Sequence, residues 1–286
     1  MKNILLLTDF SATAENAVIY GYRLARQLKA NVLLCNVMNI PAEIPQFEVP
    51  VLPLSGYDHM VSESKNDLDQ TRKKLEGLDN DQNFHSFITC IEEVGRVVDT
   101  VFKLVQQYQP GIVIVGIHSN KGLVEWFLGN HVSELIDIAK VPVLVVPAES
   151  TYHNISKIAL ASDSRDIDLD TLELVSAFAE KLNAELFLFR VADQRRPNPD
   201  HTLEQHLTAR IKKLTDQLRV SVKTAIKGPV EKQLKLLCEA ERIDLLVMTH
   251  RKRSLMEDIL SASHSRKMAG KTNIPLLIIP EKNNSL

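Results

Sequence analysis

The residues best placed for chemistry sit where apolar runs end. Ile112 to Val115 is continuous and apolar, and Gly116-Ile117-His118-Ser119-Asn120-Lys121-Gly122 follows it directly. A glycine at such a point lets the backbone approach a phosphate, and the N-terminus of a following helix offers free N–H groups and positive dipole potential. Gly129-Asn130-His131 marks a second such place, where another helix begins. A separate apolar strand, Ile4 to Leu7, delivers Thr8 and Asp9. An aspartate between a strand and a helix either meets a ligand or caps the helix, and both readings stand for Asp9. Asp163 follows a similar strand and is read as structural.

Catalytic alternatives find less support. Ser11 and Thr13 lie near Asp9, but no Gly-x-x-x-x-Gly-Lys-[Ser/Thr] occurs anywhere in the chain. Without that lysine-bearing loop or an acidic magnesium cluster, fast phosphoryl transfer has no visible machinery. His118 and His250 each follow an apolar strand at matching places, yet neither has an adjacent acid or nucleophile. Each is read as a loop histidine bonded to its own backbone. His201 and His206 are five residues apart and so do not share a helix face as metal ligands would. Trp126 is expected to anchor its helix in the core.

The elements that position these residues occur twice. Ile4-Leu5-Leu6-Leu7-Thr8-Asp9 resembles Ile158-Ala159-Leu160-Ala161-Ser162-Asp163, and helical stretches follow at Ala17 to Leu28 and Leu172 to Leu182. Gly95-Arg96-Val97-Val98 answers Gly228-Pro229-Val230-Glu231. Ile112-Val113-Ile114-Val115 is matched to Asp244-Leu245-Leu246-Val247, and Val141 to Pro147 answers Ile274 to Pro280. The offset is 154 from Asp9 to Asp163 and 133 from Gly95 to Gly228, so the first copy holds about twenty extra residues. Each copy reads β-α-β-α-β-α-β-α-β. Continuous apolar strands alternating with helices predict an α/β fold: two tandem doubly wound parallel five-stranded sheets flanked by helices. Domains are expected over 1–148 and 154–282, with Ala148 to Ser156 a short polar join.

Leu203, Leu207, Ile211, Leu214 and Leu218 draw one apolar helical stripe, and Val61, Leu68 and Leu75 a sparser one. Pro41, Pro45, Pro50 and Pro53 fall within the extra residues of the first copy and imply an extended surface loop. Cys35, Cys90 and Cys238 are odd in number and distant, which fits buried small hydrophobes rather than disulfides or zinc ligands. Apolar residues make up 44% of the chain and charged ones 24%, and 34 Lys plus Arg balance 36 Asp plus Glu. That balance argues against nucleic acid and anionic membrane as partners. The first apolar run is too short for a signal peptide and nothing approaches a membrane span, so a cytoplasmic protein is expected.

From Thr8-Asp9-Phe10-Ser11 to the closing Val-Pro-Val-Leu-Val-Val-Pro phrase, the chain resembles a tandem, two-domain universal stress protein, a Rossmann-like fold. Nucleotide-binding members of that family carry Gly-x-x-Gly, nine residues, then Gly-Ser or Gly-Thr. On this chain those positions are Gly116, Ser119, Gly129 and Asn130, and two of the four match. The resemblance implies ATP or AMP in the first domain only, with Thr8 and Asp9 at the adenine and Val37 packing by the base. Gly116, Ser119, Gly129 and Asn130 would wrap the ribose and phosphates, and a side chain at 116 would intrude there. In the second copy the matched positions are Met248, Arg251, Ser261 and Ala262, a degenerate loop in which Met248 would fill the base or ribose space. A basic run, His250 to Arg253, is read as a solvated loop. The closing strands are expected to pair across the domains as an internal pseudo-dimer, and a homodimer is a further arrangement the resemblance allows. Three functions stay open: a regulatory binding protein of the stress response, a nucleotide-free scaffold or binder of another small molecule, and a slow ATPase or nucleotide hydrolase.

Overall fold

The computed structural model describes residues 1–38, 54–78, 84–117, 130–163, 169–191, 218–225, 230–250 and 274–280. Leu203 to Leu214 of the expected helical stripe, Pro41 to Pro53 and residues 118–129 lie outside them, whereas Leu218 packs against the core.

In the first half, strands β1 (Asn3–Thr8), β2 (Asn31–Met38), β3 (Ile88–Val94), β4 (Ile112–Ile117) and β5 (Val143–Pro147) alternate with helices. These are α1 (Ala12–Gln27), α2 (Leu54–Glu76), α3 (Val97–Tyr108) and α4 (Asn130–Ile138). The second half supplies β6 (Lys157–Asp163), α5 (Leu169–Leu182), β7 (Glu185–Val191), β8 (Val220–Ala225), α6 (Val230–Glu241), β9 (Leu245–His250) and β10 (Leu276–Pro280). The strands form one sheet in the order β3-β2-β1-β4-β5-β10-β9-β6-β7-β8. Every pairing is parallel except β5 with β10, which joins the halves antiparallel. The expected α/β fold with paired closing strands is what the chain adopts, as one ten-stranded sheet.

Alternate residues of each strand feed two apolar layers. Ile4, Leu6, Ile112 and Ile114 meet Ala17 and Leu24 of α1 and Leu68 and Leu75 of α2, continuous with Ile158 and Leu160 packed by Leu172 and Val175 of α5. Leu5, Cys35 and Val113 meet Val101 of α3 and Leu135 of α4 on the other face, continuous with Ala159, Met248 and Leu234 of α6. Both layers therefore cross the β5–β10 seam. A sheet buried on both faces explains the uninterrupted apolar strands.

Helix α1 starts five residues earlier than the apolar pattern marks, because Ser11 caps it. The Ser11 hydroxyl oxygen accepts from the Ala14 N–H at 3.2 Å. The helix lies unusually close to the sheet: a Cβ on Gly21 would come within 2.4 Å of the Leu6 side chain.

The repeat is visible in backbone detail. Lys29 and Asn183 take left-handed φ values of 53° and 53°, and Gln109 and Arg242 take 46° and 55°, each just past a helix. Those pairs stand 154 and 133 positions apart. The register also corrects the sequence match at β4. Ile4 pairs with Ile112 and Ile158 with Leu245, while Gly116 pairs with Val146 and Thr249 with Ile279. Ile112 thus corresponds to Leu245, one residue beyond the assumed alignment. Gly116 corresponds to Thr249, and His250, opposite Pro280, corresponds to Ile117 rather than to His118. A uniform apolar run cannot reveal a one-residue slip; hydrogen bonding can.

The join between halves is also less polar than its composition suggests. Ile155 is buried, and Tyr152 packs edge-on against Tyr20 with ring centroids 4.9 Å apart. Gln27, at the end of α1, donates through Nε2 to the carbonyls of Ile155 (3.2 Å) and Leu182 (3.3 Å). Its Oε1 accepts from the Ile155 N–H at 3.2 Å and from the Tyr152 hydroxyl. Asp244 holds the other end of the join, accepting from the Ser156 N–H (2.8 Å), the Ser156 hydroxyl (2.9 Å) and the Lys157 N–H (2.9 Å).

Candidate functional site

In an open parallel sheet, ligands bind beyond the carboxyl ends of the strands where the strand order reverses. In the first half that point lies between β1 and β4. β1 pairs with β2 through Thr8–Asn36, but with β4 only over Ile4–Leu6 and Ile112–Ile114. Meanwhile β4 stays with β5 as far as Ile117–Pro147. The β1–β4 ladder therefore ends before the strands do, which is where such a crevice is expected. In the second half the β6–β9 ladder runs one pair further, to Ala161–Met248.

The turn after β1 is built from its own side chains. Thr8 Oγ1 accepts from the Phe10 N–H at 3.0 Å, and Asp9 Oδ1 accepts from the Ser11 N–H at 3.0 Å. Phe10 has φ 61°, a left-handed conformation uncommon for a bulky residue, which these two hydrogen bonds help to maintain. Thr8 is buried, whereas Asp9 is exposed at the strand end. Ser11 rather than Asp9 caps α1, so Asp9 shapes the turn and presents its carboxylate outward.

A buried polar contact secures this turn from behind. Asn36 Nδ2 donates to the Thr8 carbonyl at 2.8 Å, and its Oδ1 accepts from the Ser64 hydroxyl of α2 at 3.0 Å. Sequence reasoning passed over both residues. An asparagine inside Leu33-Leu34-Cys35-Asn36-Val37 was the available signal, because a buried amide must find partners. Val37, the next residue, is half-buried and packs on the α3–α4 face of the sheet.

Gly116 ends up at the crevice but for a different local reason than phosphate access. A Cβ there would lie 2.7 Å from the Thr13 carbonyl oxygen and 3.2 Å from the Ala17 Cβ. The space beside residue 116 belongs to α1, and the missing side chain is what lets the helix start so near the strand. Asn130 opens α4; Ser119 and Gly129 lie outside the described residues. The structure therefore brings Thr8, Asp9, Val37 and Gly116 to one edge of the sheet. In the second half, Met248 is 2% exposed and packs in the core layer with Ala161 and Ile278. It does not occupy a ligand space, because its side chain points into the sheet face rather than beyond the strand end.

Among the described residues no group of three or more His, Cys, Asp or Glu side chains could hold a metal ion, and no helix is long and apolar enough to cross a membrane. The three cysteines are free thiols. Burial pushes Cys35 and Cys238 up to about 12, so neither is a nucleophile near neutral pH. Cys90 is half-buried and also raised by burial.

The model of the universal stress protein family matches residues 1–147 and again 154–280. The chain belongs to the universal stress protein family. A universal stress protein of Methanocaldococcus jannaschii is 29% identical over 159 residues, spanning 52% of this chain and 97% of that protein. Among solved structures, a universal stress protein from Archaeoglobus fulgidus superimposes with a TM-score of 0.73 at 15% identity, covering 97% of this chain and 98% of its own. A functionally unknown protein from Pseudomonas aeruginosa gives a TM-score of 0.54 at 14% identity, covering 98% and 92%. These two structures share the fold along the whole chain.

Proposed function

We propose that this tandem universal stress protein is a regulatory binding protein of the stress response whose first half takes ATP or AMP in the β1–β4 crevice. One observation carries the reading. The β1–β4 ladder stops at Leu6–Ile114, and exposed Asp9, half-buried Val37 and the Gly116 end of β4 all lie at the carboxyl end of the sheet by the topological switch point. A carboxylate suits the exocyclic amine of adenine, an apolar side chain suits the base face, and the N-terminus of α4 after Gly129 suits phosphate. The longer β6–β9 ladder and Thr249 in place of Gly116 support a second half that stays empty and serves as structural partner. Occupancy would alter the surface seen by other proteins.

Mass spectrometry of the purified, denatured chain tests the reading, followed by calorimetric titration with ATP and AMP. Co-purified adenine nucleotide, or saturable heat lost in Asp9→Ala, is the expected result. Failure of both nucleotides to bind, or binding confined to the second half, overturns it.

A further inference from the structure

The contact behind the Asp9 turn is more polar than its place in the core requires. Val61, Leu68 and Leu75 draw the apolar stripe of α2, and Ser64 falls within it, three residues after Val61 and four before Leu68. The stripe therefore carries a hydroxyl into the core, where Ser64 is 5% exposed. Asn36 of β2 and Thr8 at the end of β1 are buried with it.

Every hydrogen bond in this relay has a fixed direction. The Thr8 carbonyl can only accept, so the Asn36 amide presents Nδ2 to it at 2.8 Å. That leaves Oδ1 to accept from the Ser64 hydroxyl at 3.0 Å. The Thr8 carbonyl shares one planar peptide with the Asp9 N–H, so fixing the carbonyl fixes the plane from which Asp9 leaves the strand. Beyond that peptide, Thr8 Oγ1 and Asp9 Oδ1 accept from the Phe10 and Ser11 N–H groups. Asp9 is thus held on both sides, and a carboxylate has capacity for a further donor beside the Ser11 bond.

The second half cannot repeat the relay. Ser162 and Arg190 pair in the register of Thr8 and Asn36, 154 positions further along the chain. An arginine has no acceptor for a serine hydroxyl. The relay belongs to the half proposed above to take a nucleotide.

We propose that Asn36 and Ser64 are positioning residues for base recognition, holding the Asp9 carboxylate where it accepts from the exocyclic amine of adenine. A residue of α2 then sets the preference for an amino-purine. The inference rests on the functional reading above and deepens it.

The test is calorimetric titration of the full chain with ATP and AMP, and with the corresponding phosphates of purine riboside, which lack the amine. A hydrogen bond to a carboxylate is worth roughly tenfold in affinity, so the wild type should favour the adenine ligand by about that factor. Ser64→Ala and Asn36→Asp should lose most of this preference by weakening the adenine ligand, with the purine riboside ligand held to within about twofold. Ser64→Thr keeps the hydroxyl and should keep the preference. A thermal melt verifies the fold of each variant, and Ser64→Ala decides the matter if Asn36→Asp does not fold. Three results overturn the proposal while leaving nucleotide binding in place: no adenine preference in the wild type, an unchanged preference in folded Ser64→Ala, or equal loss in Ser64→Thr and Ser64→Ala. Wild-type protein that binds none of these ligands overturns the functional reading and this inference together.

Discussion

Leu144 and Leu277 lie directly opposite one another in the antiparallel β5–β10 ladder, and they are the same position of the repeat. A pseudo-twofold axis therefore passes between them, giving the seam the self-complementary form of a symmetric dimer interface. Pairing also covers two apolar strand edges that would otherwise invite association between chains.

Because both core layers cross this seam, the halves should unfold together. Leu144→Ala and Leu277→Ala should each cost about 2–5 kcal/mol, the range for truncating a buried leucine. Urea melts followed by tryptophan fluorescence and by far-UV dichroism should coincide. Separate transitions for the two probes would show independent halves.

Gly116→Ala should destabilise the fold by about 1–3 kcal/mol, since the new methyl meets the Thr13 carbonyl rather than open space. Asp9→Ala removes one exposed hydrogen bond to the Ser11 N–H and should cost about 0.5–1.5 kcal/mol while weakening nucleotide binding. Paired melting and calorimetry on the two variants separate packing from ligand contact. A Gly116→Ala protein with unaltered stability would contradict the close approach of α1.

The Gln27 side chain is the polar pin between α1, the join and α5. Gln27→Leu strands the Ile155 backbone groups and should cost about 1–3 kcal/mol. Gln27→Glu retains the acceptor but sets a carboxylate oxygen against the Ile155 and Leu182 carbonyls, and should cost at least as much. Equal melting temperatures for wild type and both variants would remove the pin from the account.

Alkaline pH should weaken the fold. Cys35 and Cys238 rise from an ordinary 9.0 to about 12 on burial, so between those values the unfolded chain loses protons that the folded chain keeps. The stability they contribute is full below pH 9 and is lost as pH rises toward 12. Tyr20, also raised by burial, acts in the same direction. Urea midpoints measured from pH 8 to pH 11 should fall, and replacing both cysteines with alanine should flatten the slope. Thiol labelling at pH 8 should modify Cys90 well before the other two.

Much of this molecule was legible from residue order. Paired motifs at constant offsets, apolar strands alternating with helices and the closing Val-Pro-Val-Leu phrase specified a duplicated α/β fold, because hydrophobic period and turn chemistry are local properties. They also brought Thr8, Asp9, Val37 and Gly116 to strand ends, where a parallel sheet gathers them. Three matters needed the tertiary structure. The register of β9 against β6, invisible in an apolar run, moved Met248 into the core and aligned Thr249 with Gly116. The nearness of α1 gave Gly116 a packing reason that its strand-end position had suggested was a phosphate contact. The seating of Tyr152 beside Tyr20 turned the join between the halves back along α1. Each depends on contacts between residues far apart in the chain, and local pattern carries no record of such distances.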